Sequence, residues 1–217
     1  MEDIIQRTKK FYSKDRSVTI NALQGHFATS NSHVNYYVDT TRLKIRVSEA
    51  KGAAAALRDK IAGDIHTVDT IVCLDENELL GGFLADRMLS SGFLNTNLHE
   101  TIYVVRPEEN SLHDFMFSRN NRIAITGKNC LVLTGTLTTG ATVQRILECI
   151  EYYGGKNVGV AAVFSTITEV FGNRVYSVFS EEDLPGYATY PMESCPYCAK
   201  QIPIEALVNG RGYAVVL

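Results

Sequence analysis

Residues 134–142 read Thr-Gly-Thr-Leu-Thr-Thr-Gly-Ala-Thr, between an apolar run (Cys130 to Leu133) and an amphipathic stretch that begins near Ala141. Glycines let a backbone approach an anion closely, and threonine hydroxyls add donors. A helix starting at Ala141 adds unpaired N–H groups and a partial positive charge. Together these suit a phosphate monoester, held by the amides of Leu137 to Ala141 and the hydroxyls of Thr136, Thr138, Thr139 and Thr142 around Gly140. The plainer alternative is an ordinary βα turn in which glycine supplies a positive φ. The stretch lacks the G-K-[ST] of a P-loop and the G-x-G-x-x-G of dinucleotide sites. No carboxylate lies between Lys128 and Glu148, so the stretch itself offers no ligand for a metal or a ribose.

Three other groups carry chemistry. Asp75, Glu76 and Glu78 follow the apolar run 69–75 and suit a cation or a ribose hydroxyl, or else acids at a helix start. Cys195 and Cys198 have the spacing of a zinc-ligand pair. A structural zinc needs four ligands. No second C-x-x-C or H-x₃₋₅-H exists, and His26, His33, His66, His99 and His113 are scattered along the chain. The pair is therefore read as packing around Pro196, with no metal expected. The histidines are read as ordinary loop or sheet residues.

The elements that position these groups follow from periodicity. Residues 2–15 place Ile4, Ile5, Thr8, Phe11 and Tyr12 at helical spacing, with Arg7–Lys10 on the wet face, and 17–24 reads as a short helix or turn. Residues 25–47 are aromatic and β-branched, as in a hairpin. An Ala-rich helix is expected over 48–62 with Ser48 as N-cap, and a second over 79–92 closed by Gly92. Buried strands are expected at 69–75, 101–106, 131–133, 158–164 and 175–180, a hairpin or excursion at 107–128, and a helix over 141–153. Strand–helix alternation with short connections predicts a parallel, doubly wound sheet with its crevice beyond the strands' carboxyl ends.

Size and composition set bounds. The 217 residues are 45% hydrophobic, enough for one sizeable α/β domain, and the net charge of −3 disfavours nucleic acid. No run approaches the ~20 apolar residues of a membrane helix, and MEDIIQRTKK is not a signal peptide, so a cytoplasmic protein is expected. Five cysteines, an odd number, argue against a disulfide framework; Cys73, Cys130 and Cys149 sit in apolar contexts as small hydrophobes.

Residues 131–143 resemble the phosphoribosyl-pyrophosphate motif of type I phosphoribosyltransferases: an apolar strand, two adjacent acids, a short variable stretch, then T-T-G-G-[ST]. GHFATSNSHVNYY (25–37) resembles the hood segment of orotate phosphoribosyltransferases, and DLPGYATYPMESCPYC (183–198) the ending of some of them. The resemblance covers most of residues 20–205. It implies a parallel five-stranded core flanked by helices, with a hood at the N-terminus. The division is 1–62 for the N-terminal helix and hood, 63–180 for the core, and 181–217 for a segment completing the hood. It implies a homodimer, a phosphorylated ribose or nucleotide as ligand, and Mg²⁺ if the chain is catalytic.

The departures are as informative. Where the family has its ribose-binding acids, this chain has Thr134 and Gly135. Arg106 is kept, but Pro107-Glu108-Glu109-Asn110 stands where lysines should follow, and Asp75-Glu76-Asn77-Glu78 replaces a small pyrophosphate loop. Asn31-Ser32 replaces G-[KR], and Ser165-Thr166 replaces D-R. A lost charged hydrogen-bonding partner typically costs ~1.5–3 kcal/mol, and ~1.4 kcal/mol is tenfold in rate. The expectation is a binder with lost or strongly altered catalysis. The alternative is an active transferase in which Asp75 or Glu76 takes the ribose and Lys128 or Arg122 the pyrophosphate. A third reading is a structural or regulatory subunit.

Overall fold

In the computed structural model, which describes residues 6–111 and 114–216, two six-stranded sheets enclose a cleft. In chain order the elements open with β1 (Thr8–Tyr12), β2 (Thr19–Ala28), β3 (His33–Asp39), α1 (Thr41–Ile45) and α2 (Val47–Ile61). Then come β4 (Thr70–Cys73), α3 (Glu78–Ser90), β5 (Tyr103–Val105), β6 (Glu108–Glu109), β7 (Phe115–Met116), β8 (Asn129–Leu137) and α4 (Ala141–Tyr152). The chain continues through β9 (Lys156–Ser165), β10 (Glu169–Val170), β11 (Asn173–Ser180), β12 (Thr189–Tyr190), α5 (Pro196–Ala199), β13 (Ala206–Asn209) and β14 (Gly212–Val215).

The core sheet runs β10-β11-β9-β8-β4-β5. Its five strands β11, β9, β8, β4 and β5 are mutually parallel, and β10 is an antiparallel edge on β11. Numbered among themselves in chain order, the parallel strands lie 2-1-3-4-5. The order therefore reverses between β4 and β8, which is where ligands bind in open α/β sheets. Both faces are covered, which explains the unbroken apolar runs. Ile71 and Cys73 of β4, with Leu131 and Leu133 of β8, join the core shared with α2, α3 and the second sheet. Val72 of β4, with Cys130 and Val132 of β8, faces the other core, under α4. Helix α4 buries Val143, Ile146, Leu147 and Ile150, one stripe at helical spacing. Burial pushes the Cys149 thiol up to about 11 and the Cys130 thiol up to about 12, as expected of cysteines that serve as packing atoms.

The second sheet, β12-β3-β2-β13-β14 with β1 on β2, draws strands from both ends of the chain. Here the helical reading of residues 2–15 is overturned from Thr8 onward: Thr8–Tyr12 pairs antiparallel with Thr19–Leu23. Asp15 explains why. Its carboxylate accepts hydrogen bonds from the Ser13 and Ser17 hydroxyls at 2.6 and 2.7 Å and from the Ser17 N–H at 3.1 Å. This builds a tight turn that returns the chain on itself. The same hairpin removes the proposed helix or turn at 17–24, since β2 begins at Thr19. Ile4 and Ile5 lie outside the described residues.

Smaller differences have local causes. Helix α2 starts at Val47 with Arg46 at its cap, so Ser48 sits inside the first turn and donates to Glu49 instead of capping. The excursion at 107–128 carries the short hairpin β6–β7 and a 3-10 turn at Arg122–Ala124. Most consequential, β8 runs four residues past Leu133, because Thr134, Thr136 and Leu137 stay in register with Ala162, Phe164 and Ser165 of β9.

Candidate functional site

The cleft, about 1600 Å³, lies at the carboxyl ends of β4, β5 and β8, with the β2–β3 turn, β3, the end of β13 and the segment after it as its opposite wall. Because β8 is long, the turn that meets α4 is short: Thr138, Thr139 and Gly140. Thr136, Thr138, Thr139, Gly140, Ala141 and Thr142 all face the cleft; Leu137 touches it but is 2% exposed and packed in the second core. Gly140 is the N-cap of α4 at φ 81° and provides no side-chain cap. A Cβ there would stand 2.8 Å from Val170 Cγ2, so both φ and space call for glycine. With no capping side chain, the first-turn amides of α4 are left to the cleft, where an anion complements them. Arg145, one turn further along α4, adds a guanidinium to this end and lies over the Phe115 ring at 5.6 Å.

The other end is acidic. Asp75 and Glu76 are consecutive non-glycine residues at φ 54° and 60°, which strains the loop after β4. Asp75 Oδ2 accepts the Thr134 hydroxyl at 2.8 Å, across the reversal between β4 and β8. Glu78 opens α3 and pairs with Arg106 at 3.3 Å. Glu76 and Glu109 face Arg211 at 4.0 and 3.6 Å. Gly135 does not line the cleft: it lies in β8, backed by Thr40 and Asn77. Lys128 and Arg122 also lie off it, and Arg122 stacks on Tyr153 at 4.9 Å. Five carboxylates (Asp75, Glu76, Glu78, Glu108 and Glu109) thus line the cleft against three guanidiniums (Arg106, Arg145 and Arg211).

Two residues escaped sequence reasoning. Lys44, from α1, donates to the Gly210 carbonyl; burial pulls its pKa down, while Asp75, Glu76, Asp39 and Glu78 pull it back up. Arg211 arrives from the far end of the chain. Arg211 has no local motif, because it reaches the cleft only through the pairing of β13 with β2, and Lys44 stands behind the cleft lining, tied to it through Gly210.

The histidines are not all scattered in space. His26 on β2 and His33 on β3 meet Cys195 and Cys198, and one ligand atom from each of the four lies within 4.8 Å of the others. The chain separation of about 165 residues hid this cluster. His66 and His99 lie away from the cleft, and His113 is outside the described residues.

No family model matches the chain. It is 27% identical to an orotate phosphoribosyltransferase of Chlorobium phaeobacteroides over 189 residues, covering 85% of this chain and 87% of the relative. It is 25% identical over 191 residues to the enzyme of that name from Wolinella succinogenes, covering 81% and 85%. The crystal structure of orotate phosphoribosyltransferase from Aeropyrum pernix superposes with a TM-score of 0.52 at 17% identity, over 74% of this chain and 88% of that one, a likeness of fold. In sequence the chain is similar to orotate phosphoribosyltransferases, and its 2-1-3-4-5 parallel core is the fold of type I phosphoribosyltransferases.

Proposed function

We propose that this chain binds a phosphorylated ribose or a nucleotide in the cleft, with the transfer chemistry lost or strongly altered. One contrast carries the reading. The threonine turn opens onto the cleft at the uncapped start of α4, whereas the family's acid positions hold Thr134, whose hydroxyl is tied to Asp75, and Gly135, which faces away. Transfer of phosphoribose builds positive charge on the ribose and negative charge on departing pyrophosphate. Catalysis needs groups that strengthen their grip as those charges grow. Beside the seat for pyrophosphate the cleft has Asp75, Glu76 and Glu78, which repel a polyanion, and Arg106 is already engaged by Glu78.

One observation favours the alternative, an active transferase acting on a pyrimidine or other nucleobase. The Asp75 carboxylate sits against Thr134, so it places an acid beside the position from which the family's acid is missing. Mg²⁺ would then be required, held by one such carboxylate together with substrate phosphates, the usual arrangement for that ion. A homodimer and a cytoplasmic setting accompany both readings; among the described residues no helix is long and apolar enough to cross a membrane.

The test is pyrophosphate release from phosphoribosyl pyrophosphate with Mg²⁺ and a panel of bases including orotate, alongside thermal stabilisation by ribose 5-phosphate. Stabilisation without turnover is expected. Turnover that disappears in Asp75→Asn would establish the alternative. Neither turnover nor stabilisation would leave only a structural role.

A further inference from the structure

We propose that His26, His33, Cys195 and Cys198 form a tetrahedral zinc site that staples the C-terminal segment onto the second sheet. The distances have the shape of a coordination polyhedron. With Zn–N of ~2.05 Å and Zn–S of ~2.3 Å, tetrahedral angles put the two nitrogens ~3.3 Å apart and each nitrogen ~3.6 Å from a sulfur. His26 Nε2 and His33 Nδ1 are 3.2 Å apart. Cys195 Sγ is 3.5 Å from His26 Nε2, and Cys198 Sγ is 3.8 Å from it and 3.4 Å from His33 Nδ1.

The surroundings prepare the ligands. His26 Nδ1 lies 2.9 Å from the Ile202 carbonyl and 3.2 Å from that of Pro203. An N–H there leaves the Nε2 lone pair aimed into the cluster, the orienting contact that metal-bound imidazoles use. The His26 ring also stacks on Tyr197, between the two cysteines, with centroids 5.2 Å apart and planes 23° from parallel. Cys195 and His26 are each 1% exposed. Two thiolates and a divalent cation sum to zero charge, which is what burial demands. Two sulfurs and two imidazoles at tetrahedral spacing suit zinc rather than the hard, oxygen-seeking Mg²⁺ or Ca²⁺.

The staple has a mechanical consequence. It fixes residues 195–198 against the β2–β3 hairpin, a few residues before β13 joins β2 through Ala206↔Phe27 and Leu207↔Ala28. β13 then delivers Gly210 and Arg211 to the acidic end of the cleft. The zinc site thus holds one cleft wall in place, whatever ligand the cleft takes.

The experiment uses the full chain without a histidine tag. Zinc by mass spectrometry is expected at about one per chain. Co²⁺ in its place should give the thiolate-to-metal charge-transfer band and tetrahedral d–d absorption of an S₂N₂ site. Cys198→Ser and His33→Ala should each lose zinc, and chelation should lower Tm by roughly 5 °C or more. The wild-type zinc content and cobalt spectrum decide the matter even if a variant fails to fold. Wild-type protein that carries no zinc and gives no charge-transfer band with Co²⁺ overturns the proposal, as does zinc retained undiminished in Cys198→Ser.

Discussion

Placing a carboxylate in the threonine turn should selectively weaken phosphate binding. Thr139 is exposed, faces the cleft and lies beside the uncapped start of α4. In Thr139→Asp the new charge would stand on the order of 5 Å from a bound phosphate. Coulomb's law gives ~0.8 kcal/mol per charge pair at that distance in bulk water and ~3.3 at an effective dielectric of 20. For a phosphate of roughly −1.5 to −2 charge this becomes ~1.5 kcal/mol at the wet limit and ~6 at the half-buried one. Thr139's exposure puts the variant nearer the first, a weakening of about tenfold or more. At 100 times the Kd, ribose 5-phosphate should stabilise the wild type by ~2.7 kcal/mol, a rise of roughly 5–11 °C in Tm for a chain of this length. A tenfold loss of affinity cuts that to ~1.4 kcal/mol, and a hundredfold loss to ~0.4. The assay is differential scanning fluorimetry across a ribose 5-phosphate titration, with Thr139→Asn as the uncharged control retaining most of the shift. A full shift in Thr139→Asp would refute the assignment of the turn as the phosphate seat.

Other expectations follow from specific contacts. A Cβ at Gly210 would collide with the Asp75 carboxylate, so Gly210→Ala should cost ~1–3 kcal/mol by overpacking. Asp75→Ala should relieve most of that, giving a double-mutant coupling above ~1 kcal/mol in urea unfolding; additivity would contradict the contact. Gly140→Ala combines a left-handed φ with the Val170 contact, for an expected loss of ~2–4 kcal/mol in the same assay. Asp69 is buried, which alone would raise its pKa, but the Thr96 N–H and the backbone and side-chain N–H groups of Asn129 outweigh this and lower it. Its contribution is therefore full above the unfolded value of ~3.9 and is lost as pH falls through the lower folded value. Asp69→Asn should lower stability near pH 7 and flatten the acid limb of the stability profile; an unchanged limb would contradict this.

The core was legible because its strands are buried on both faces: Ile71–Cys73 and Leu131–Leu133 have nothing polar to interrupt them. The phosphate turn was legible in outline for a local reason, since Gly140 and its threonines are consecutive in the chain. Its start was misjudged by four residues. Thr134 and Thr136 read as loop, yet pairing with β9 holds them in a strand. Helical spacing at Thr8 and Phe11 gave way where pairing with β2 and the Asp15 turn outweighed local propensity. The histidine–cysteine cluster and the Lys44–Gly210 contact join segments over 160 residues apart, and neither spacing nor periodicity carries that information.

The most direct test of the central claim is calorimetric titration of the intact chain with ribose 5-phosphate and, in parallel, with ribose. Saturable binding of the phosphorylated sugar at one site per chain is expected, with no detectable heat from ribose at the same concentrations. Equal affinity for the two sugars, or binding of neither, would contradict it.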